Sequence, residues 1–168
     1  MKVGSVPADV VFVTHEDEAA NFTDMASGSP QIFRSTMAIG VNRASGLAVR
    51  GVQTSSDKIG DITHLNIAFV WSMDGIRFCH LGNIADPVNL SESINIGNVD
   101  VLFMPVGGGF DQAKQRITLE RLRPKIIIPI SYSGSVGAGS FRMPTVRVRS
   151  TFTLTREQLP TTPTIFVP

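Results

Sequence analysis

The chain has 168 residues, 42% apolar and 17% charged, with a net charge of +1 and a mean hydropathy of +0.14. That is room for one domain with a substantial buried core, and it excludes an intrinsically disordered polyelectrolyte. No apolar run approaches the roughly 20 residues of a membrane-spanning helix, no apolar stretch after Lys2 reads as a secretory leader, and the lone Cys79 rules out an internal disulfide or a CxxC zinc motif, so a single cytoplasmic domain over residues 1–168 is expected.

In chain order, residues 9–14 (Asp-Val-Val-Phe-Val-Thr) form a β-branched apolar run and predict a buried strand. The acidic cluster that follows, from Glu16, predicts a helix to about Ala26, stopped by Ser27-Gly28. Residues 31–33 and the alternating stretch 47–54 read as further strands. The clearest local signal is Asn66–Met73, then Asp74-Gly75, then Ile76–Leu81: two apolar runs around a dipeptide whose positions both accept positive φ, hence a tight hairpin. An Asn/Ser-rich loop is expected next. Residues 99–106 predict a strand ending in Gly107-Gly108-Gly109, 111–123 a helix stopped before Pro124, and 125–130 another buried strand. In that helix Phe110, Ala113 and Ile117 share a face, while Leu119 and Leu122 do not. Residues 133–140 read as a Gly/Ser loop, 145–155 as an alternating strand and 164–167 as a short closing strand. The strand–helix–strand order at 99–130 implies a crossover unit, and the hairpins imply a mixed sheet, so the class is α/β or α+β.

Five of these segments together resemble one family. Residues 8–15 (Ala-Asp-Val-Val-Phe-Val-Thr-His) are similar to the strand entering the metal loop of the metallo-β-lactamase fold. Residues 74–82, ending His-Leu-Gly, resemble that superfamily's hairpin before a bridging aspartate, and residues 99–108 its next strand and glycine turn. Residues 122–129 resemble the strand that leads to its last histidine, and residues 155–160 its tail segment. The pattern is similar to the ascorbate-6-phosphate lactonase-like branch of the zinc-dependent hydrolases. The resemblance implies an αββα sandwich of mixed sheets. It also implies that the first strands of that fold are lacking, so that a sheet edge or apolar face is left for self-association.

The same resemblance implies a degenerate metal site. The family loop His-x-His-x-Asp-His is here His15, Asp17, Ala19 and Ala20, and alanine has no donor atom. Ser56, beside Asp57, stands where the next histidine is expected; Asn83 replaces the bridging aspartate, and Ser131, before Tyr132, the last histidine. Catalytic zinc takes three protein ligands and keeps one open position. The residual metal positions are therefore His15, Asp17, Asp57 and Asn83, and no catalytic residue can be assigned.

Each remaining candidate has an alternative. His15 is either a residual ligand or a cap on the helix after its strand. Asp17 and Glu18, with Asp57, either bind a hard cation such as magnesium or are solvated acids at a helix start. His80 reads as a structural hydrogen-bonding residue, His64 as a turn residue, and Cys79 as a buried inert thiol. The Gly107–Gly109 turn has the context of a phosphate cradle but lacks a full phosphate-binding motif. Residues 1–110 carry six Lys/Arg and eleven Asp/Glu, a net −5, and residues 111–168 carry nine and three, a net +6. Arg142, Arg147, Arg149 and Arg156 therefore form either a basic strip for RNA or an acidic partner, or a solvated strand face. The expected function is that of a catalytically inactive relative acting as a structural or binding subunit, homo-oligomeric or part of a larger assembly. A metal-dependent hydrolase with a one-metal site (zinc or another divalent ion) and an RNA-binding accessory protein are the alternatives.

Overall fold

The computed structural model describes residues 5–16, 21–54, 58–59, 62–63, 65–107, 109–131, 145–147 and 153–167. The short strands β1 (Val6–Pro7), β2 (Val10–Phe12), β3 (Ala26–Ser27) and β4 (Gln31–Phe33) come first, then β5 (Gly40–Ala44) and β6 (Leu47–Thr54). A two-residue pair, β7 (Lys58–Ile59) and β8 (Ile62–Thr63), precedes β9 (Asn66–Met73) and β10 (Ile76–His80). Helix α1 (Leu90–Ile96), strand β11 (Val101–Pro105), helix α2 (Gln112–Leu122), and strands β12 (Ile126–Ile130), β13 (Thr145–Arg147) and β14 (Thr164–Val167) complete the order.

The main sheet has eight strands in the order β13-β14-β12-β11-β10-β9-β6-β5. Strands β5, β6, β9 and β10 are joined antiparallel, and β10, β11, β12, β14 and β13 are parallel, so the mixed α/β class is as expected. The β9–β10 hairpin turns through Asp74 (φ 51°) and Gly75 (φ 74°), the two positive values its sequence required. Helix α2 crosses over between the parallel strands β11 and β12.

Alternation along the strands separates two faces. Val70, Cys79, Leu102, Met104, Ile127 and Ile165 face the helices in the largest core cluster, which also takes Ile96 of α1 and Leu122 of α2. Ile67, Phe69, Val101 and Ile126 belong to clusters on the opposite face. There the parallel ribbon β2–β4 supplies a second, much smaller β layer: Phe12 stacks on Phe33 and packs on Phe69 with ring centroids 4.7 Å apart. The rest of that face carries Trp71, Phe78 and Phe103, half-buried and stacked in a row, with Leu154 and Leu159 packed near them.

Four expectations need correction. The helix predicted from Glu16 to Ala26 is absent where residues are described: Thr23–Met25 make a single 3-10 turn, and Ala26–Ser27 pair with β1. Ribbon pairing outweighs the acidic helix-start signal there, and the 3-10 turn buries no residue to hold a longer helix. The Asn/Ser loop contains α1, held by a capping box in which Asn89 Oδ1 accepts from the Glu92 amide at 2.9 Å and Glu92 Oε2 accepts from the Asn89 amide at 2.7 Å. The buried face of α2 is Gln115, Thr118 and Leu122, not the apolar stripe. Two polar residues fit there because Gln115 Nε2 donates to the Phe110 carbonyl at 2.8 Å and Thr118 Oγ1 accepts from the Val88 amide at 3.2 Å. Finally, residues 153–155 are not in a strand, because they lead into the 3-10 turn Arg156–Gln158; residues 148–152 lie outside the described residues.

Glu16, just past β2, is held by Arg34, Ser35 and Asn21. The Arg34 guanidinium is the main cause of a carboxyl pKa lowered to about 2, against a smaller opposing effect of burial. A folded-state value below the unfolded one means stability present above about pH 4.5 and lost as pH falls toward 2. In urea melts, the drop in midpoint between pH 5 and pH 3 should therefore be smaller in Glu16→Gln than in the parent; equal drops would show that the cluster is fully screened.

Candidate functional site

The expected metal loop lies at the end of β2. Val13 continues its pairing, donating to the Phe33 carbonyl at 2.9 Å, and the Thr14 carbonyl accepts from the Ile67 amide at 2.8 Å, which ties the loop to the start of β9. Beside it is the end of β10. Leu81 donates to the Phe103 carbonyl at 3.0 Å, and Gly82 turns the chain at φ 65°. A Cβ on Gly82 would lie 2.6 Å from Thr14 Cβ and 2.5 Å from Asn66 Oδ1, so only glycine admits this approach of the two loops.

Asn66, 2% exposed, is the hub of the junction. Its Nδ2 donates to Thr54 Oγ1 at 2.6 Å and to the Leu81 carbonyl at 2.8 Å, while its Oδ1 accepts from the Asn83 amide at 2.9 Å. Sequence reasoning missed this residue. The available signal was a polar residue opening a strand that is otherwise apolar.

His15 Nδ1 lies 2.8 Å from Thr14 Oγ1, and residues 17–20, where the helix it was expected to cap would start, lie outside the described residues. His80 Nδ1 accepts from the Gly82 amide at 3.0 Å, so neutral His80 has its proton on Nε2, and its ring stacks on Phe103. Burial first, and the neighbouring His15 second, lower the His80 pKa to about 4. A depressed histidine contributes stability that is complete above about pH 6.5 and lost as pH falls toward 4. In an NMR pH titration the His80 ring signals should hold still from pH 8 to about pH 5; a midpoint near 6.5 would contradict its burial.

Of the expected ligand positions, His15 and Asn83 flank the Thr14–Gly82 contact, and Asn83 engages it through its main-chain amide. Asp17 and Asp57 lie outside the described residues, as do Glu18, His64 and Tyr132. Ser131, at the end of β12, is exposed and has φ 57°. A zinc centre needs three converging donors with free lone pairs. Here both Nδ2 protons of Asn66 are in the network, its Oδ1 accepts from the Asn83 amide, and His80 Nδ1 is taken by Gly82. Among the described residues no three His, Cys, Asp or Glu side chains come together. Of the expected ligand positions only His15, Asn83 and Ser131 are described, too few for a zinc centre on their own, and the described groups around Asn66 serve another end. They lock two loops, and His80 is too weak a base for proton transfer near neutrality.

The other candidates behave structurally. Burial pushes the Cys79 thiol up to about 12, which leaves it unreactive. The start of α2 is occupied by its own Asp111, whose carboxylate accepts from the Lys114 amide at 3.0 Å, and a negative cap repels a phosphate. Of the arginine strip, Arg142 and Arg149 lie outside the described residues and Arg147 is described as part of β13 only, while Arg156 sits in a 3-10 turn with its guanidinium on the Gly75 carbonyl.

An eight-stranded mixed sheet with helices on one face and a β ribbon on the other defines a metallo-β-lactamase fold. The family model for the beta-lactamase superfamily domain matches residues 2–131, and the chain belongs to that family. A protein from Thermotoga maritima, described as a candidate Zn-dependent hydrolase of the metallo-beta-lactamase superfamily, is 25% identical. The match covers 97% of this chain and 83% of that one, with a TM-score of 0.76. A variant of the CmlA beta-hydroxylase shares the fold at 12% identity and a TM-score of 0.50, covering 74% of this chain and 36% of that one. A metallo hydrolase from Ignicoccus hospitalis is 17% identical over 62% of this chain and 47% of its own, with a TM-score of 0.47. No curated protein matches the chain. Among the described residues no helix is long and apolar enough to cross a membrane.

Proposed function

We propose that this chain is a catalytically silent member of the superfamily that works as a binding subunit, assembled with further copies of itself. The observation that carries this reading is the ligand set together with the Asn66 network: an asparagine, Asn83, stands where the resemblance places the bridging aspartate, and beside it Asn66 ties Thr54, the Leu81 carbonyl and the Asn83 main-chain amide to one another. Alanine at positions 19 and 20 removes two further donors. Assembly is supported by β5, an edge strand of the main sheet that exposes Val41 at 53%, next to Met37 at 83%. An apolar strip beside unpaired backbone groups favours strand-to-strand association. A cytoplasmic location agrees with a lone thiol.

The description of the Thermotoga protein favours the competing reading, a metal-dependent hydrolase using His15, Asp17 and Asp57. Protein purified from zinc-supplemented culture separates the two, with metal content, turnover of a phosphodiester and a sugar lactone, and mass by light scattering measured on one sample. Substoichiometric zinc, no turnover and a defined oligomer are expected. Stoichiometric zinc with turnover would give the site to the hydrolase, and a monomer would remove the assembly.

A further inference from the structure

A second concave site lies at the other end of the sheet. Strands β10, β11 and β12 run parallel; His80 and Ser131 mark their C-terminal ends. At their N-terminal ends a cleft of about 1120 Å3 opens between the β9–β10 turn, α1 and the last turn of α2. Five cationic side chains line it: Arg77, Arg121, Arg123, Lys125 and Arg156. The described acids in its wall are Asp100 and Glu120.

The guanidinium groups there are oriented mainly by neutral oxygens. Arg77 Nη2 donates to the Ile96 carbonyl at 2.8 Å, Arg123 Nε to the Glu120 carbonyl at 3.3 Å, Arg121 to the Val88 carbonyl and Arg156 to the Gly75 carbonyl. A carbonyl fixes an arginine without cancelling its charge. Arg77 Nε is buried with no hydrogen-bond partner among the described residues. Asp100 is already engaged, accepting from Lys125 Nζ at 2.8 Å and from the Arg77 amide at 2.9 Å. Glu120 lies 4.0 Å from Arg116. The cleft therefore keeps a net positive field, and it collects much of the basic excess of the C-terminal third.

Size and lining select the ligand. At about 1120 Å3 the cleft stands at the top of the range of small-molecule pockets and, being open along one side, has room for a peptide segment. No aromatic residue is among the described lining, so a single-stranded nucleic acid would find no stacking platform. Leu90 and Ile94, one helical turn apart on α1, line the cleft and are 70% and 72% exposed. Paired apolar anchors beside fixed cations complement a segment with acidic and apolar residues on one side.

We propose that this cleft is a docking groove for an acidic, amphipathic peptide segment of a partner protein. The inference goes beyond the silent-subunit reading and is independent of the metal question, because the groove shares no residue with the Asn66 junction.

Fluorescence anisotropy on the intact protein tests it with three labelled probes: a Glu/Leu peptide patterned as an amphipathic helix, a polyglutamate of equal length, and an oligouridylate. The Glu/Leu peptide should bind most tightly, and Arg123→Glu should weaken it by at least about tenfold, which is within the range of one reversed surface charge. Because Arg123 also ends α2, the solvent-facing Ile94→Asp is the companion variant; it should lose affinity with an unchanged melting temperature. Tighter binding of the oligouridylate, equal binding of both peptides, or indifference to both substitutions would overturn the proposal.

Discussion

Gly51→Ala should destabilise the protein by about 3 kcal/mol or more, the upper range of core overpacking. Gly51 lies in β6, facing the layer that covers the sheet opposite the helices. An added Cβ would stand 1.9 Å from the Ala38 carbonyl oxygen, 2.8 Å from its carbon and 3.1 Å from Ile67 Cγ2. The first two are backbone atoms of the 3-10 turn Ser35–Ala38, so no rotamer change relieves the contact. Ala38 is fully buried and belongs to the cluster of Val49, Ile67 and Phe69, which would open with it. Urea unfolding monitored at Trp71 checks this; a loss below about 1 kcal/mol would mean that the turn slides away freely.

The second large effect is expected at Asn66. Asn66→Ala removes the side-chain partner of the Leu81 carbonyl and of the Asn83 amide and leaves Thr54 Oγ1 only its bond to the main-chain carbonyl of residue 66. Buried groups left unpaired cost about 1–3 kcal/mol each, and water can reach the exposed Asn83, so a total near 3 kcal/mol is expected. Asn66→Asp keeps the shape and turns a donor toward the Leu81 carbonyl into an acceptor, unless the new carboxyl is protonated. Its folded-state pKa should therefore be raised, with stability present below the unfolded value near 3.9 and lost as pH rises through the folded one. A variant as stable at pH 7 as at pH 4 would contradict the network. If Asn66→Ala also gained tight zinc, the silent-subunit reading would fail with it.

Legibility in the sequence followed the range of the interactions. The β9–β10 hairpin, β6, β11, β12 and the ends of α2 were readable because their signals are local: alternation, an Asp-Gly turn, helix-forming composition stopped by Pro124. Helix α1 was missed, although its Asn89-to-Glu92 spacing carries a capping box, because an Asn/Ser-rich composition reads as a loop. β5 was missed because its exposed Val41 obscures the alternation that marks a half-buried strand. The polar buried face of α2 could not be read, since Gln115 and Thr118 go inside only where the Phe110 carbonyl and the Val88 amide await them.

The candidate site divides in the same way. The chemical identity of His15, Ala19, Ala20 and Asn83, and with it the thin supply of metal donors, is a property of the chain alone. That Asn66 closes the junction, that His80 is neutral against Phe103, and that Arg77, Arg121, Arg123, Lys125 and Arg156 meet in one cleft are properties of the packed sheet. Arg77, the stretch 121–125 and Arg156 lie tens of positions apart in the chain. Only parallel pairing of β10, β11 and β12 brings their strand ends level, and only burial sets which polar groups must find each other.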